Sequence, residues 1–154
     1  LSAVEKINNK QKLIICRKIM KHFKNNIRKL KFAIWGLSFK PQTNDTRFAP
    51  SIEIVNFLLS KGAFVRAYDP ISSIKDAVNS NIKNYREVKT SKEAINNADA
   101  LIICTEWKEF WSVDPMSFIE KMNKPVIFDG RNIYSPNSMM RNDISYYAIG
   151  RGSQ

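Results

Sequence analysis

Four short apolar runs recur along the chain: KFAIWG (31–36), AFVRAY (63–68), ALIICT (100–105) and PVIFD (125–129). Segments with helical patterning separate them. Strands that read as near-continuous apolar runs are buried on both faces, and parallel strands need crossovers long enough to hold a helix. The alternation therefore predicts an α/β fold, a Rossmann-like parallel sheet with helices on both faces. The intervening helices are expected at 51–61, stopped by Gly62, at 73–79, at 91–97 with Ser91 as cap, at 115–122 opening on Pro115, and at 138–142. Two further strands are expected near 82–85 and over 144–149.

A long helix precedes this pattern. Val4, Ile7, Ile14, Ile15, Ile19, Met20, Phe23 and Ile27 recur at threes and fours, with lysines between them. Ser2 and Glu5 have capping-box spacing. A helix over 2–25 would be roughly 36 Å long, a length suited to bridging domains or subunits. The net charge of +11 is concentrated here. Residues 1–31 hold ten Lys/Arg against Glu5 alone, whereas the rest of the chain is nearly balanced. A basic helix could meet nucleic acid, but the segment carries no nucleic-acid motif, and a solvated or partner-facing surface is the plainer reading.

Other function classes are set aside by composition. Hydrophobic residues make up 44% of the 154, enough for a packed core rather than a disordered chain. No apolar run reaches the roughly 18–20 residues of a membrane span, and the first residues lack a signal-peptide core. Cys16 and Cys104 lie in separate apolar segments without metal-ligand spacing. They read as buried free thiols, which fits a cytoplasmic protein.

The first strand ends at Gly36, and the polar loop LSFKPQTNDTRFAP leads into a helix. In open α/β sheets, ligands bind beyond the C-terminal ends of the strands. Four polar groups fall there: Lys40 and Arg47; Asp69; Thr105 to Lys108; and Asp129-Gly130-Arg131. Lys40 is a compact charge suited to phosphate, and Arg131 a fork suited to bidentate contact. Arg47 could serve a second anion or pair with Asp45. Asp69 could accept from a ribose hydroxyl, or simply form the turn of Asp-Pro. Trp107 and Trp111 could stack on a base or pack internally. His22, the one histidine, reads as a surface residue. Gly36 stands alone, without the G-x-G-x-x-G spacing of a dinucleotide site. No catalytic nucleophile, carboxylate pair or metal site emerges.

The blocks GLSFKPQTNDTRFAPSIEIVNFLLSKGAFVRAYDP (36–70), ADALIICTEWKEF (98–110) and KPVIFDGRNIY (124–134), with YYAIGR (146–151), resemble the C-terminal domain of the UDP-glucose/GDP-mannose dehydrogenase family. AVEKINNKQK (3–12) is similar to the end of that family's central helix. The resemblance implies residues 1–28 as the end of a linking and dimerising helix, and 29–154 as a UDP-binding domain. TEWKEF favours the UDP-glucose branch over the UDP-N-acetylmannosamine and GDP-mannose branches. Such enzymes oxidise the sugar C6 alcohol to a carboxylate with two NAD⁺ and a cysteine nucleophile. The resemblance implies that Phe39, Lys40 and Arg131 contact the UDP-sugar, and that Arg47 reaches NAD held by an N-terminal domain. Neither that domain nor the nucleophile's glycine-rich segment is expected here. The chain should then bind UDP weakly and catalyse nothing alone. UDP-glucose, the NAD-binding domain and a second copy are the implied partners.

Overall fold

The computed structural model describes residues 3–47 and 49–149. Helix α1 (Ala3–His22) is followed by β1 (Lys31–Trp35), α2 (Pro50–Ser60), β2 (Phe64–Tyr68), β3 (Tyr85–Glu87), α3 (Ser91–Ile95) and β4 (Ala100–Ile103). Then come α4 (Lys108–Trp111), α5 (Pro115–Lys121), β5 (Val126–Asp129), α6 (Pro136–Arg141) and β6 (Ser145–Ala148). The six strands form one sheet in the order β3-β2-β1-β4-β5-β6, and every pairing is parallel. Strand order reverses between β1 and β4, which opens a crevice where their following loops diverge.

The period of two along each strand sorts the core into two layers. Phe32 and Ile34 of β1, Val65 and Ala67 of β2, Ile102 of β4 and Phe128 of β5 face one side. They pack there against Ile15 and Ile19 of α1 and Ile54, Val55, Leu58 and Leu59 of α2. Ala33, Trp35, Leu101, Ile103 and Ile127 face the other side, against Ile95 of α3, Phe110 of α4, Phe118 of α5 and Met139 of α6. Each large aliphatic or aromatic side chain removed from water here contributes about 1.5–3 kcal/mol. Trp35 stacks on Phe110 with ring centroids 4.8 Å apart, and its Nε1 donates to the Ser91 carbonyl at 3.0 Å.

Several boundaries differ from the sequence reading for local reasons. The long helix ends at His22 because Lys24 and Asn25 take left-handed conformations (φ 53° and 62°), and Asn25 N–H reaches back to the Met20 carbonyl at 2.8 Å. Its expected cap, Ser2, lies outside the described residues, as do Gly150 and Arg151. Thr90, not Ser91, caps α3, its hydroxyl accepting from Glu93 N–H at 3.0 Å. The helix expected at 73–79 shrinks to one 3₁₀ turn over Lys75–Ala77. The strand expected near 82–85 forms later, at Tyr85–Glu87, after a second 3₁₀ turn. Helix α4 was not legible, because four residues hold too little periodicity.

His22, expected at the surface, is half-buried. Its Nδ1 lies 2.7 Å from the Tyr147 hydroxyl, and its ring stands edge-on to Phe23 and Phe128. Burial, then the nearby Lys124, lowers its pKa below the usual value. The basic helix is thus docked onto the sheet through Ile15, Ile19 and His22, and Lys12 pairs with Glu53 of α2 at 3.5 Å.

Gly36 marks the exit of β1. Its φ is +92°, and a Cβ there would fall 2.4 Å from Thr105 Cβ. Gly36→Ala therefore combines left-handed strain with overpacking. The expected loss is roughly 3 kcal/mol, read as a lower urea midpoint with an unchanged slope.

Candidate functional site

The exits of β1, β2 and β4 are tied together by one carboxylate. Asp69 Oδ2 accepts from the backbone N–H of Leu37 at 2.7 Å and Ser38 at 3.3 Å, and from Trp107 Nε1 at 3.2 Å. Its Oδ1 accepts from the N–H groups of Ile71 and Ser72 at 2.9 and 2.8 Å. The turn reading of Asp-Pro describes half of this residue. The other half braces two neighbouring loops, and both oxygens are engaged within the protein. Thr105 adds a second tie across the switch point, its Oγ1 donating to the Ser38 carbonyl at 2.7 Å. Ser38 Oγ then donates to the Lys40 carbonyl at 2.8 Å, and Ser51 Oγ to the Leu37 carbonyl at 2.8 Å.

The four predicted contact residues fall on two exits. Phe39 and Lys40 lie on the β1 loop, Phe39 half-buried with its N–H on the Asp45 carbonyl at 3.1 Å. Lys40 is exposed, and its ammonium has no hydrogen bond or ion pair among the described residues. Arg47, 81% exposed at its side chain, forms a two-point pair with Asp45 at 3.1 and 3.0 Å. The hydrogen bonds from Arg47 hold the Asp45 carboxyl below its usual range. The pairing reading of Arg47 is thus the arrangement seen here.

Arg131 leaves the end of β5, where buried Asp129 accepts from its N–H and from Ile133 N–H, both at 2.9 Å, and from the Tyr146 hydroxyl at 2.6 Å. Its guanidinium is held edge-on by Glu106, Nε to Oε2 at 2.9 Å and Nη2 to Oε1 at 3.1 Å. That leaves Nη1 without a partner among the described residues, so the end of the fork remains available to an anion. The role of Glu106 was not legible, because nothing in TEWKEF says which cation its carboxylate meets. Trp107 and Trp111 divide their work. Trp107 is half-buried and hydrogen-bonded to Asp69, while Trp111, 58% exposed, flanks a cavity of about 610 Å³ with Pro41, Gln42 and Pro70.

Neither cysteine offers a thiolate. Burial raises Cys16 to about 11 and Cys104 to about 12, so both thiols stay protonated at neutral pH. No group of three metal-ligating side chains occurs among the described residues. Nor does the exit of β1 fit a dinucleotide pyrophosphate. The space that Gly36 leaves open is filled by Thr105, and α2 starts at Pro50, which has no N–H to offer.

The UDP-glucose/GDP-mannose dehydrogenase family, UDP binding domain, matches by its family model over residues 33–136. The UDP-glucose 6-dehydrogenase YwqF of Bacillus subtilis is 36% identical over 152 residues, covering 98% of this chain and 34% of the relative. The UDP-glucose 6-dehydrogenase of Pseudomonas aeruginosa is 35% identical over 160 residues, with coverage of 98% and 34%. Among solved structures, a UDP-D-ManNAc dehydrogenase from Pyrococcus horikoshii superposes with a TM-score of 0.70 at 25% identity, over 92% of this chain and 30% of that one. The chain thus spans about a third of the length of the relatives it matches. Among the described residues, no helix is long and apolar enough to cross a membrane.

Asp69→Ala would strip five donors of their acceptor. The expected cost is about 3 kcal/mol. Amide hydrogen exchange should accelerate at Leu37, Ser38, Ile71 and Ser72, while the β4–β5 amides stay protected.

Proposed function

The chain belongs to the UDP-glucose/GDP-mannose dehydrogenase family, and we propose that it is the sugar-nucleotide half of a UDP-glucose 6-dehydrogenase. The whole enzyme would convert UDP-glucose, two NAD⁺ and water to UDP-glucuronate and two NADH. The observation that carries the reading is Lys40, an uncommitted ammonium on the β1 loop at the sheet's C-terminal mouth, inside the span matched by the UDP-binding family model.

In this reading Lys40 and the free end of Arg131 hold the diphosphate, and Phe39 packs beside the nucleotide. A diphosphate carries enough charge to satisfy both cations. Glu106 fixes the plane of the Arg131 fork beforehand, which lowers the ordering cost on binding. Arg47 exchanges its exposed partner Asp45 for an anionic group of NAD held by an N-terminal domain. An exposed pair is weak enough for that exchange. The loop 37–47 then reports on both ligands and closes over their junction.

Residues 1–28 act in this proposal as the end of the linking helix, through which a cytoplasmic homodimer forms, and 29–154 as the UDP-binding domain. With half-buried Cys16 and buried Cys104 both held protonated, the chain by itself binds nucleotide without turning it over. The nucleophile and the hydride acceptor come from the remainder of the enzyme.

Lys40→Ala in the full-length enzyme should weaken UDP-glucose about tenfold or more and leave NAD affinity nearly unchanged. Arg47→Ala should do the reverse, weakening NAD with little effect on UDP-glucose. Steady-state kinetics with each ligand varied in turn decide this. An unchanged KM and kcat for UDP-glucose in Lys40→Ala would overturn the assignment of Lys40. Faster turnover of GDP-mannose or UDP-N-acetylmannosamine than of UDP-glucose would move the chain to another branch.

A further inference from the structure

A second cationic site lies at the opposite end of the sheet, where β1, β2 and β3 begin. A cavity of about 290 Å³ opens there, lined by Lys31, Phe64, Arg66, Lys83 and Arg86 among others, with no carboxylate among its lining residues. Arg66 and Arg86 are direct register partners on the paired strands β2 and β3, as are Lys31 and Phe64 on β1 and β2. Register partners in a parallel pair project from the same face, so the two arginines leave the sheet on one side.

Like charges placed opposite each other on paired strands destabilise the pair. Burial, then the charge of Arg86, lowers the pKa of Arg66, and the charge of Glu93 opposes them. Arg66 is anchored through Nη2 to the Asn96 carbonyl at the end of α3, which fixes it beside its rival rather than letting it swing away. Arg86, Lys83 and Lys31 have no ion pair among the described residues. Asp99 approaches Lys31 only at its backbone N–H, at 2.8 Å. Phe64, 41% exposed, adds an apolar wall.

We propose that this cavity is a binding site for a phosphorylated small molecule, whose phosphate oxygens bridge Arg66 and Arg86 with Lys83 closing over them. Its volume is near the lower end for small-ligand sites, which suits a diphosphate or a compact nucleotide. The site is separated by the length of the strands from the crevice at Lys40 and does not depend on the function proposed there. A bound phosphate would relieve the Arg66–Arg86 repulsion, so occupancy would stabilise the edge of the sheet.

The test is calorimetric titration and thermal melting of the 154-residue chain with inorganic pyrophosphate, and separately with ADP. Lys40→Ala removes the crevice ammonium, while Arg86→Gln and Lys83→Gln weaken the second site. Pyrophosphate should raise the Tm of Lys40→Ala, whereas Arg86→Gln should lose about tenfold or more in binding to the second site. Without ligand, Arg86→Gln should melt above the parent, because the repulsion is gone. Tighter binding of ADP than of pyrophosphate, lost in Phe64→Ala, would identify a nucleotide. Equal binding would identify the phosphate group alone. Loss of all pyrophosphate response in Lys40→Ala, or an undiminished response when Arg86→Gln is added to Lys40→Ala, would overturn the second site.

Discussion

The Asp69 carboxylate is the point on which the crevice depends. Strands β1, β2 and β4 end at one level, Trp35 standing opposite both Tyr68 and Ile103, and their exit loops part from the ladder there. Asp69 supplies the missing acceptor for two amides of the β1 loop, two of its own turn and the indole of Trp107. With Thr105 pinned to the Ser38 carbonyl, the root of the β1 loop is fixed. Farther out the backbone is tied by Ser38 Oγ at the Lys40 carbonyl and Ser72 Oγ at the Thr43 carbonyl, while the side chains of Lys40 and Arg47 are exposed. A rigid root with exposed cations beyond it is the construction expected of a loop that must close on a ligand.

The same logic explains the treatment of charge. Each arginine near the mouth already has a carboxylate, Asp45 for Arg47 and Glu106 for Arg131, but the two pairs differ in exposure. Arg47 is 81% exposed and loosely committed, whereas Arg131 is 19% exposed and set by Asp129 and Glu106 together. Arg131 is therefore suited to being a fixed part of a binding surface, and Arg47 to changing partners. Buried Cys104, pushed up to about 12, sits beneath this surface as packing. The division fits the proposed split between recognition in this chain and chemistry elsewhere in the enzyme.

The layered fold was legible because buried parallel strands leave an unambiguous apolar mark. KFAIWG, AFVRAY, ALIICT and PVIFD all became neighbours in the sheet. The family was legible from three blocks in the correct order. Short elements were less so. Thr90 displaced Ser91 as the cap of α3, and α4 left no periodic trace. Partners distant in sequence were hidden as well. Nothing local joins Glu106 to Arg131, His22 to Tyr147, or Asp69 to Trp107. The last of these makes a nominal turn residue the brace of the whole mouth.

The most direct test of the account is a two-dimensional NMR titration of the ¹⁵N-labelled chain with UDP, a method suited to the weak binding expected of half a site. Fast-exchange shifts are expected at the amides of Leu37 to Arg47, around Asp69, and at Glu106 and Arg131, with the β4–β5 interior unmoved. Absence of shifts in the 37–47 loop and at Arg131 at millimolar UDP, in a folded sample, would contradict it.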